Sequence, residues 1–338
     1  MDTIAEAPSD RARPAWAASN VVPLWENPVA HGSAAPEPAC IWRWSEMALL
    51  IEAAIGERST AAVERRVLSL VSPHTPVVGG AAGTTTNLNA GLQILMPGES
   101  ARAHRHSMNA IRFVLSGAGA TTVVDGKRCT MAEGDLVTTP GWCWHEHIHD
   151  GRGPVIWLDV LDASLHRHLG TAAFQAGPPN DLPALTPDTA FTAACLVPDT
   201  GGAQAGHSPL FRYPWAQAAA AVAAAPLRDD GVRCVRYANP QNGGPVMSML
   251  DCWLMEIAPG TETGAFRTSA NAVCAVVEGH GRSTVGDIGF DWAPRDVFSM
   301  PHGNWIRHRA DARARLFVVS DREVLRRLDL LTEERAGS

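Results

Sequence analysis

An internal repeat restricts the fold of this chain more than any other feature. Pro97-Gly98-Glu99 is answered by Pro259-Gly260-Thr261, Phe113-Val-Leu-Ser-Gly117-Ala-Gly119 by Ala275-Val-Val-Glu-Gly279-His-Gly281, and Gly134-Asp-Leu-Val-Thr-Thr-Pro140 by Arg295-Asp-Val-Phe-Ser-Met-Pro301. The offset is 162 residues at the first landmark and 161 at the last. A nearly constant spacing of turn residues means two copies of one fold. In the first copy, short apolar or alternating runs (Leu92–Met96, Ile111–Leu115, Thr121–Val124, Leu136–Thr138, Val155–Leu161) are cut by Gly, Pro or Asp. Such runs predict a β-sandwich or barrel, and a second β-rich block from Val235 to Ser320 repeats it.

The remaining segments are assigned around these copies. Residues 1–20, rich in Ala, Pro and charge, read as a mobile arm. Ser45 precedes a helical pattern (Met47, Leu49, Leu50, Ala54, Ile55) and Thr60 opens a second one through Val63 to Leu70, so residues 21–75 are expected to be helical. The first barrel is expected over 76–175 and a connector over 176–230, with a helix at Ala218–Ala225 stopped by Pro226. The second barrel takes 231–338, closed by a helix over Arg322–Glu334 with an apolar stripe of Val324, Leu325, Leu328 and Leu331.

The candidate chemistry lies in Gly98-Glu-Ser-Ala-Arg-Ala-His104-Arg-His106 and Pro140-Gly-Trp-Cys-Trp-His145-Glu-His147. Side chains alternate between the faces of a strand, so His104 and His106 share a face, as do His145 and His147. Two short strands thus offer up to four imidazoles to one point. Three neutral imidazoles leave coordination positions open, as a catalytic metal site requires, and zinc competes with iron for such a set. His147 has three readings: a fourth ligand, a proton acceptor, or a packed polar residue; a hydrogen-bonding group or base facing the substrate is favoured. Arg112 shares the strand parity of His104 and His106 if the strand is unbroken, which would aim its guanidinium at the metal pocket for a bidentate grip on a carboxylate. Cys143 reads as a packed thiol, His166 and His168 as surface residues, and Gly117-Ala-Gly119 as a hairpin turn.

Composition removes several function classes. The formal net charge is −7, from 28 basic and 35 acidic residues, and no Lys/Arg block is present to follow a phosphate backbone, so nucleic acid is not an expected partner. The 7 cysteines lack any C-x-x-C pair, and their odd number suits free thiols in a reducing cytosol. The amino terminus has neither a basic start nor an apolar core, and no apolar run of about eighteen residues follows. The expectation is a cytoplasmic protein with no membrane partner.

The spacing of Gly98 to His104 and of Pro140 to His145 is similar to the two motifs of the cupin fold. With Ile41-Trp-Arg-Trp44, Arg65-Arg-Val-Leu68, Ala90-Gly-Leu-Gln93, Thr139-Pro-Gly-Trp-Cys-Trp-His145, Arg236-Tyr-Ala-Asn-Pro240 and Gly281-Arg-Ser-Thr284, the chain resembles the bicupin family of gentisate, salicylate and 1-hydroxy-2-naphthoate dioxygenases from about residue 20 onward. The resemblance implies a mainly β bicupin, two double-stranded β-helix (jelly-roll) barrels with an N-terminal helical segment and a C-terminal helix. It implies one Fe(II) per chain on His104, His106 and His145. Ala110 stands where general cupins place a glutamate ligand, and Phe266, Thr268 and Ile306 stand at the ligand positions of the second copy, which is expected to be metal-free.

The implied reaction uses O2 to cleave the ring of a 2-hydroxybenzoate between C1 and C2 in aromatic-compound degradation. Arg112, Arg65, Gln93 and Asp159 fall at substrate-pocket positions. Asn89 departs from the aromatic residue usual there, exchanging a stacking surface for an amide. The family also implies a homo-oligomer, a tetramer among the options. Rival readings are a non-catalytic storage or ligand-binding bicupin and a Zn or Mn isomerase or hydrolase.

Overall fold

Continuous apolar runs and alternating runs segregate into different sheets. The computed structural model describes residues 18–21, 35–57, 59, 63–179, 182–193, 196–199 and 206–336, so the arm expected over 1–20 lies almost wholly outside the described residues. The chain divides into Met1–Ala35, of which Ala18–Val21 form a turn, and Pro36–Ser338, to which everything below belongs.

Strands are numbered in chain order. The larger sheet of the first barrel joins β2 (Arg66–Leu70), β3 (Asn89–Leu95), β5 (Ala110–Ser116), β8 (Leu136–Thr139), β10 (Val155–Leu161) and β12 (Arg212–Tyr213) in the order β12-β8-β5-β10-β3-β2. Its smaller sheet joins β4 (Ser100–His106), β6 (Ala118–Val124), β7 (Lys127–Ala132), β9 (His145–His149) and β11 (Phe174–Ala176) in the order β11-β4-β9-β6-β7. In the second barrel β1 (Ile41–Trp42), β13 (Val232–Arg236), β14 (Asp251–Ile257), β16 (Ala272–Glu278), β19 (Val297–Met300) and β21 (Ala314–Ser320) are ordered β1-β19-β16-β21-β14-β13. Its smaller sheet, β15 (Phe266–Thr268), β17 (Gly281–Val285), β18 (Ile288–Trp292), β20 (Trp305–Ala310) and β22 (Glu333–Arg335), is ordered β18-β17-β20-β15-β22. This is the doubled fold expected from the repeat and the bicupin that the resemblance implies.

The two large sheets pack back to back. Leu92, Ile94, Phe113 and Leu158 share one core with Leu254, Val273, Phe317 and Val319, and the Phe113 and Phe317 rings stack at 4.1 Å and 12°. A large-sheet strand therefore buries one face in its own barrel and the other against its neighbour, which is why β21 is buried along its whole length. Smaller-sheet strands face solvent on one side, and β20 alternates strictly between exposed and buried positions. Each large apolar side chain so buried contributes about 1.5–3 kcal/mol.

Several expectations are corrected. Arg66–Leu70 is a strand, not the end of a helix from Thr60, because it completes the large sheet by pairing with β3; Thr60 itself lies outside the described residues. The helix expected over 21–75 is α1 (Trp44–Glu57), preceded by β1, which pairs with β19 of the second barrel. The connector supplies β12 to the first barrel, and its helix, α3 (Trp215–Ala224), starts before Ala218; α2 (Ala163–His168) follows β10. The C-terminal helix, α4 (Arg322–Arg327), stops early: Asp329 takes a positive φ of 59° and the chain returns as β22 to pair with β15. Gly117 is a sheet-to-sheet corner rather than a hairpin turn, since β5 and β6 lie in different sheets. Its φ is 86°, and a Cβ there would lie 2.2 Å from the Pro154 carbonyl oxygen. No helix among the described residues is long and apolar enough to cross a membrane.

Candidate metal centre

Alternation along β4 buries His104 and His106, and β9 buries His145 and His147. The pairing of His104 with His145 across β4 and β9 brings the two strands to one point. Ligand atoms of His104, His106 and His145 all lie within 4.8 Å of one another, and among the described residues this is the group that could hold a metal ion. Each Nδ1 donates to a backbone carbonyl: His104 to Arg102 at 2.8 Å, His106 to Met108 at 2.8 Å and His145 to Cys143 at 3.0 Å. That pattern fixes the tautomer and presents Nε2 as the free lone pair. The Nε2 atoms of His104 and His145 are buried without a hydrogen-bond partner.

Burial, with Arg65 and Arg112 adding to it, pushes His104 down to about 3 and His106 down to about 4. Burial likewise holds His145 and His147 well below the usual imidazole range, with Arg112 the next cause in each. Neutral imidazoles with unpartnered nitrogens are what a divalent ion needs, so the residues fit a bound metal.

His147 stands outside the triad. Its ring centroid is 6.2 Å from that of His145, and its Nδ1 lies 2.9 Å from Thr122 Oγ1. Thr122 Oγ1 also lies 3.5 Å from Met131 Sδ, and the buried His147 Nε2 has no hydrogen-bond partner.

Arg112 reaches the interior by a different route from the one strand parity suggested. The strand breaks at residues 107–109, and Arg112 lies on β5 of the facing sheet, where it is buried. It pairs in register with Asp159, and its Nε lies 3.1 Å from Asp159 Oδ1. That contact is not aligned as a hydrogen bond, since Arg112 Nε and Asp159 Oδ1 both lack a hydrogen-bond partner. Thr139 Oγ1 accepts from Arg112 Nη1. Burial raises Asp159 and lowers Arg112, and the attraction between them offsets only part of each shift. Asp159 is therefore a mid-strand counter-charge to Arg112. It also accepts from the Trp157 indole at 3.1 Å.

Gln93 is buried on β3, in register with Trp157. Arg65 precedes β2, and its guanidinium lies 5.9 Å from the Phe174 ring centre. Burial lowers its pKa against the pull of Glu64 and Asp159. Asn89 does not offer a free amide: its Oδ1 accepts from Ser164 Oγ at 2.8 Å and Arg167 Nη2 at 3.0 Å, and its Nδ2 donates to the Ala82 carbonyl at 3.4 Å. His166 is buried rather than a surface residue, because α2 turns it toward Asp162 and Thr171, whose hydroxyl lies 2.8 Å from its Nδ1. Sequence reasoning missed Phe174, which stacks on His104 at 5.4 Å and 18°, and Thr122, whose role shows only through cross-strand register.

A cupin-domain family model matches residues 91–161. Gentisate 1,2-dioxygenase 1 of Aquipseudomonas alcaligenes is 34% identical over 94% of this chain and 93% of its own length. The chain belongs to the gentisate and salicylate 1,2-dioxygenase family. Another relative, 5-aminosalicylate 1,2-dioxygenase of a Comamonas species, is 31% identical over 94% of this chain and 88% of the relative. The salicylate 1,2-dioxygenase of Pseudoaminobacter salicylatoxidans, solved as adducts with gentisate, superposes with a TM-score of 0.90 at 27% identity, covering 100% of this chain and 97% of that one. Family membership makes this member a ring-cleaving dioxygenase.

Proposed function

We propose that this member is an Fe(II) enzyme that opens a 2-hydroxybenzoate between C1 and C2 and places both atoms of O2 in the product. The observation that carries the reading is three buried imidazoles, each tied through Nδ1 to a backbone carbonyl and so left with an Nε2 lone pair, in one barrel with a buried, incompletely hydrogen-bonded guanidinium. His104, His106 and His145 would hold the metal. When bound, Fe(II) supplies a redox-active Lewis acid that brings an electron-rich ring and O2 together.

The chain's own residues do the rest. Arg112, with Arg65 nearer the opening, binds the substrate carboxylate and fixes the ring's orientation. His147 Nε2 accepts the proton of the ortho hydroxyl, leaving a phenolate that gives up electron density more readily. Thr122 holds His147 in the accepting tautomer. Trp157, whose ring centre lies 5.2 Å from that of His147, and its register partner Gln93 are buried beside that group.

Asn89 contributes by replacing a ring-stacking wall with a polar one whose amide is already engaged. The 2-hydroxybenzoate class, gentisate, salicylate or a 5-substituted salicylate, follows from the carboxylate-binding arginine together with the relatives. Leu49 and Leu50 on α1 expose apolar surface, in keeping with a homo-oligomer. Oxygen uptake by Fe(II)-reconstituted protein across gentisate, salicylate, 5-substituted salicylates and 1-hydroxy-2-naphthoate tests the proposal. Consumption stoichiometric with one of these is expected. Full activity with Zn(II) alone, or none on any member with iron bound, would overturn it.

A further inference from the structure

The second barrel encloses a cavity of about 390 Å³ in the place where the first holds its histidines. Register fixes the correspondence. Phe266 pairs with Ile306 as His104 pairs with His145, and both line the cavity. Cys274, Val318 and Trp253 lie side by side across three strands as Arg112, Asp159 and Gly91 do in the first barrel. The site is thus the stripped counterpart of the first-barrel pocket.

Its chemistry differs in kind. The walls are Trp253, Met255, Phe266, Met300, Ile306 and Val318. Trp253, Met255 and Phe266 retain exposure although they pack against the barrel's own core, so apolar surface faces the cavity. Around the opening every charge is matched: Arg228 meets Asp230 at 2.7 Å, Arg236 meets Asp251 at 2.6 Å and Arg322 meets Glu333 at 2.7 Å, while Arg335 is also engaged. The hydroxyls are tied to backbone: Thr268 accepts from the Ala270 N–H at 3.1 Å, Thr263 from the His308 N–H at 3.0 Å, and Ser320 donates to the Asn271 carbonyl at 2.7 Å. No lining residue has a buried polar side-chain atom without a partner, whereas the first barrel has several.

A charged ligand entering here would lose its hydration and gain no partner in return. An uncharged one would cover apolar surface at no such cost. Two aromatic rings and two thioethers favour a flat aromatic over an aliphatic chain. The volume lies near the lower end of small-molecule pockets, about 300–1,000 Å³, which suits one or two fused rings. We propose that the second barrel is a binding site for a single uncharged mono- or bicyclic aromatic molecule. The proposal is independent of the iron chemistry assigned to the first barrel.

Equilibrium dialysis of the full chain against naphthalene and indole tests it, because neither carries a carboxylate or a chelating hydroxyl. Saturable binding of one equivalent is expected, unaffected by His104→Ala and not displaced by benzoate. Gly264 lines the opening, lacks a left-handed φ, and an added Cβ there meets nothing within 4 Å, so Gly264→Trp fills the space without a backbone clash. That variant is expected to raise Kd at least about tenfold. Met255→Glu is a second block that sets an unpaired carboxylate among the apolar walls, and the same rise is expected. Absence of saturable binding, unchanged affinity in both variants, loss in His104→Ala, or displacement by benzoate would each overturn the proposal.

Discussion

Replacing Asp159 by asparagine removes the carboxylate beside the buried Arg112 guanidinium while keeping an acceptor for the Trp157 indole N–H. At the observed 3.1 Å, an effective dielectric of about 20 gives an attraction of about 5 kcal/mol. Removing one member of a buried pair typically costs about 3–5 kcal/mol, because the other charge stays desolvated and uncompensated. Relative to a total stability of about 5–15 kcal/mol, that is a large fraction.

Removing both charges together has the opposite consequence. Burial dominates the shifts of both partners, so removing the two charges together relieves both desolvation penalties. Arg112→Met with Asp159→Leu is expected to lie within about 1–2 kcal/mol of wild type in stability while losing activity. Urea unfolding followed by tryptophan fluorescence, run on Arg112→Met, Asp159→Leu and the double variant, closes the thermodynamic cycle. A coupling of several kcal/mol is expected. Additivity within about 0.5 kcal/mol would refute the argument that each charge is held in place by the other.

Two further outcomes bear on the site. His104→Ala is expected to abolish iron retention by elemental analysis while His302→Ala in the second barrel leaves it intact, and equal loss in both would contradict a single metal site. Thr122→Val removes the hydroxyl that holds His147 in its accepting tautomer, so kcat is expected to fall about tenfold, a barrier rise of about 1.4 kcal/mol, with iron content unchanged. An unchanged kcat would remove His147 from proton transfer.

The fold was legible wherever backbone geometry dictates residue type. Gly117 and Gly279 mark the same sheet-to-sheet corner in each barrel, with φ of 86° and 85°, and only glycine takes that conformation against the opposing carbonyl without strain. The histidines were legible for a similar reason, since His-x-His on a strand places both rings on one face. What escaped the sequence depends on partners distant in the chain. Val63 to Leu70 carries apolar spacing compatible with helix or strand, and pairing with β3 decides it. Strand parity with His104 and His106 does not reach Arg112, because the strand ends before residues 107–109 and Arg112 is buried on the other sheet. Phe174 lies at the edge of a Pro/Gly-rich connector, and only its pairing opposite His106 places it against the histidine cluster. Neither His166 nor the early end of α4 had a local signal, because both are settled by what the chain folds back upon.

The repeat separates scaffold from chemistry at the level of single residues. His147 contacts the Thr122 hydroxyl through Nδ1, and at the matching register of the second barrel His308 lies 2.8 Å from the Ser283 hydroxyl through the same atom. Both imidazoles are buried, and both have an unpartnered Nε2. The imidazole–hydroxyl pair is therefore common to a barrel with three neighbouring histidines and to one with Phe266, Thr268 and Ile306 instead. What the first barrel has in addition is the cluster of His104, His106 and His145 and the buried Arg112, with Asp159 to balance it. The hydrogen-bonded imidazole is then a scaffold feature: the same side chain faces Phe266 and Phe298 in the second barrel, where their rings lie 6.3 and 6.1 Å away.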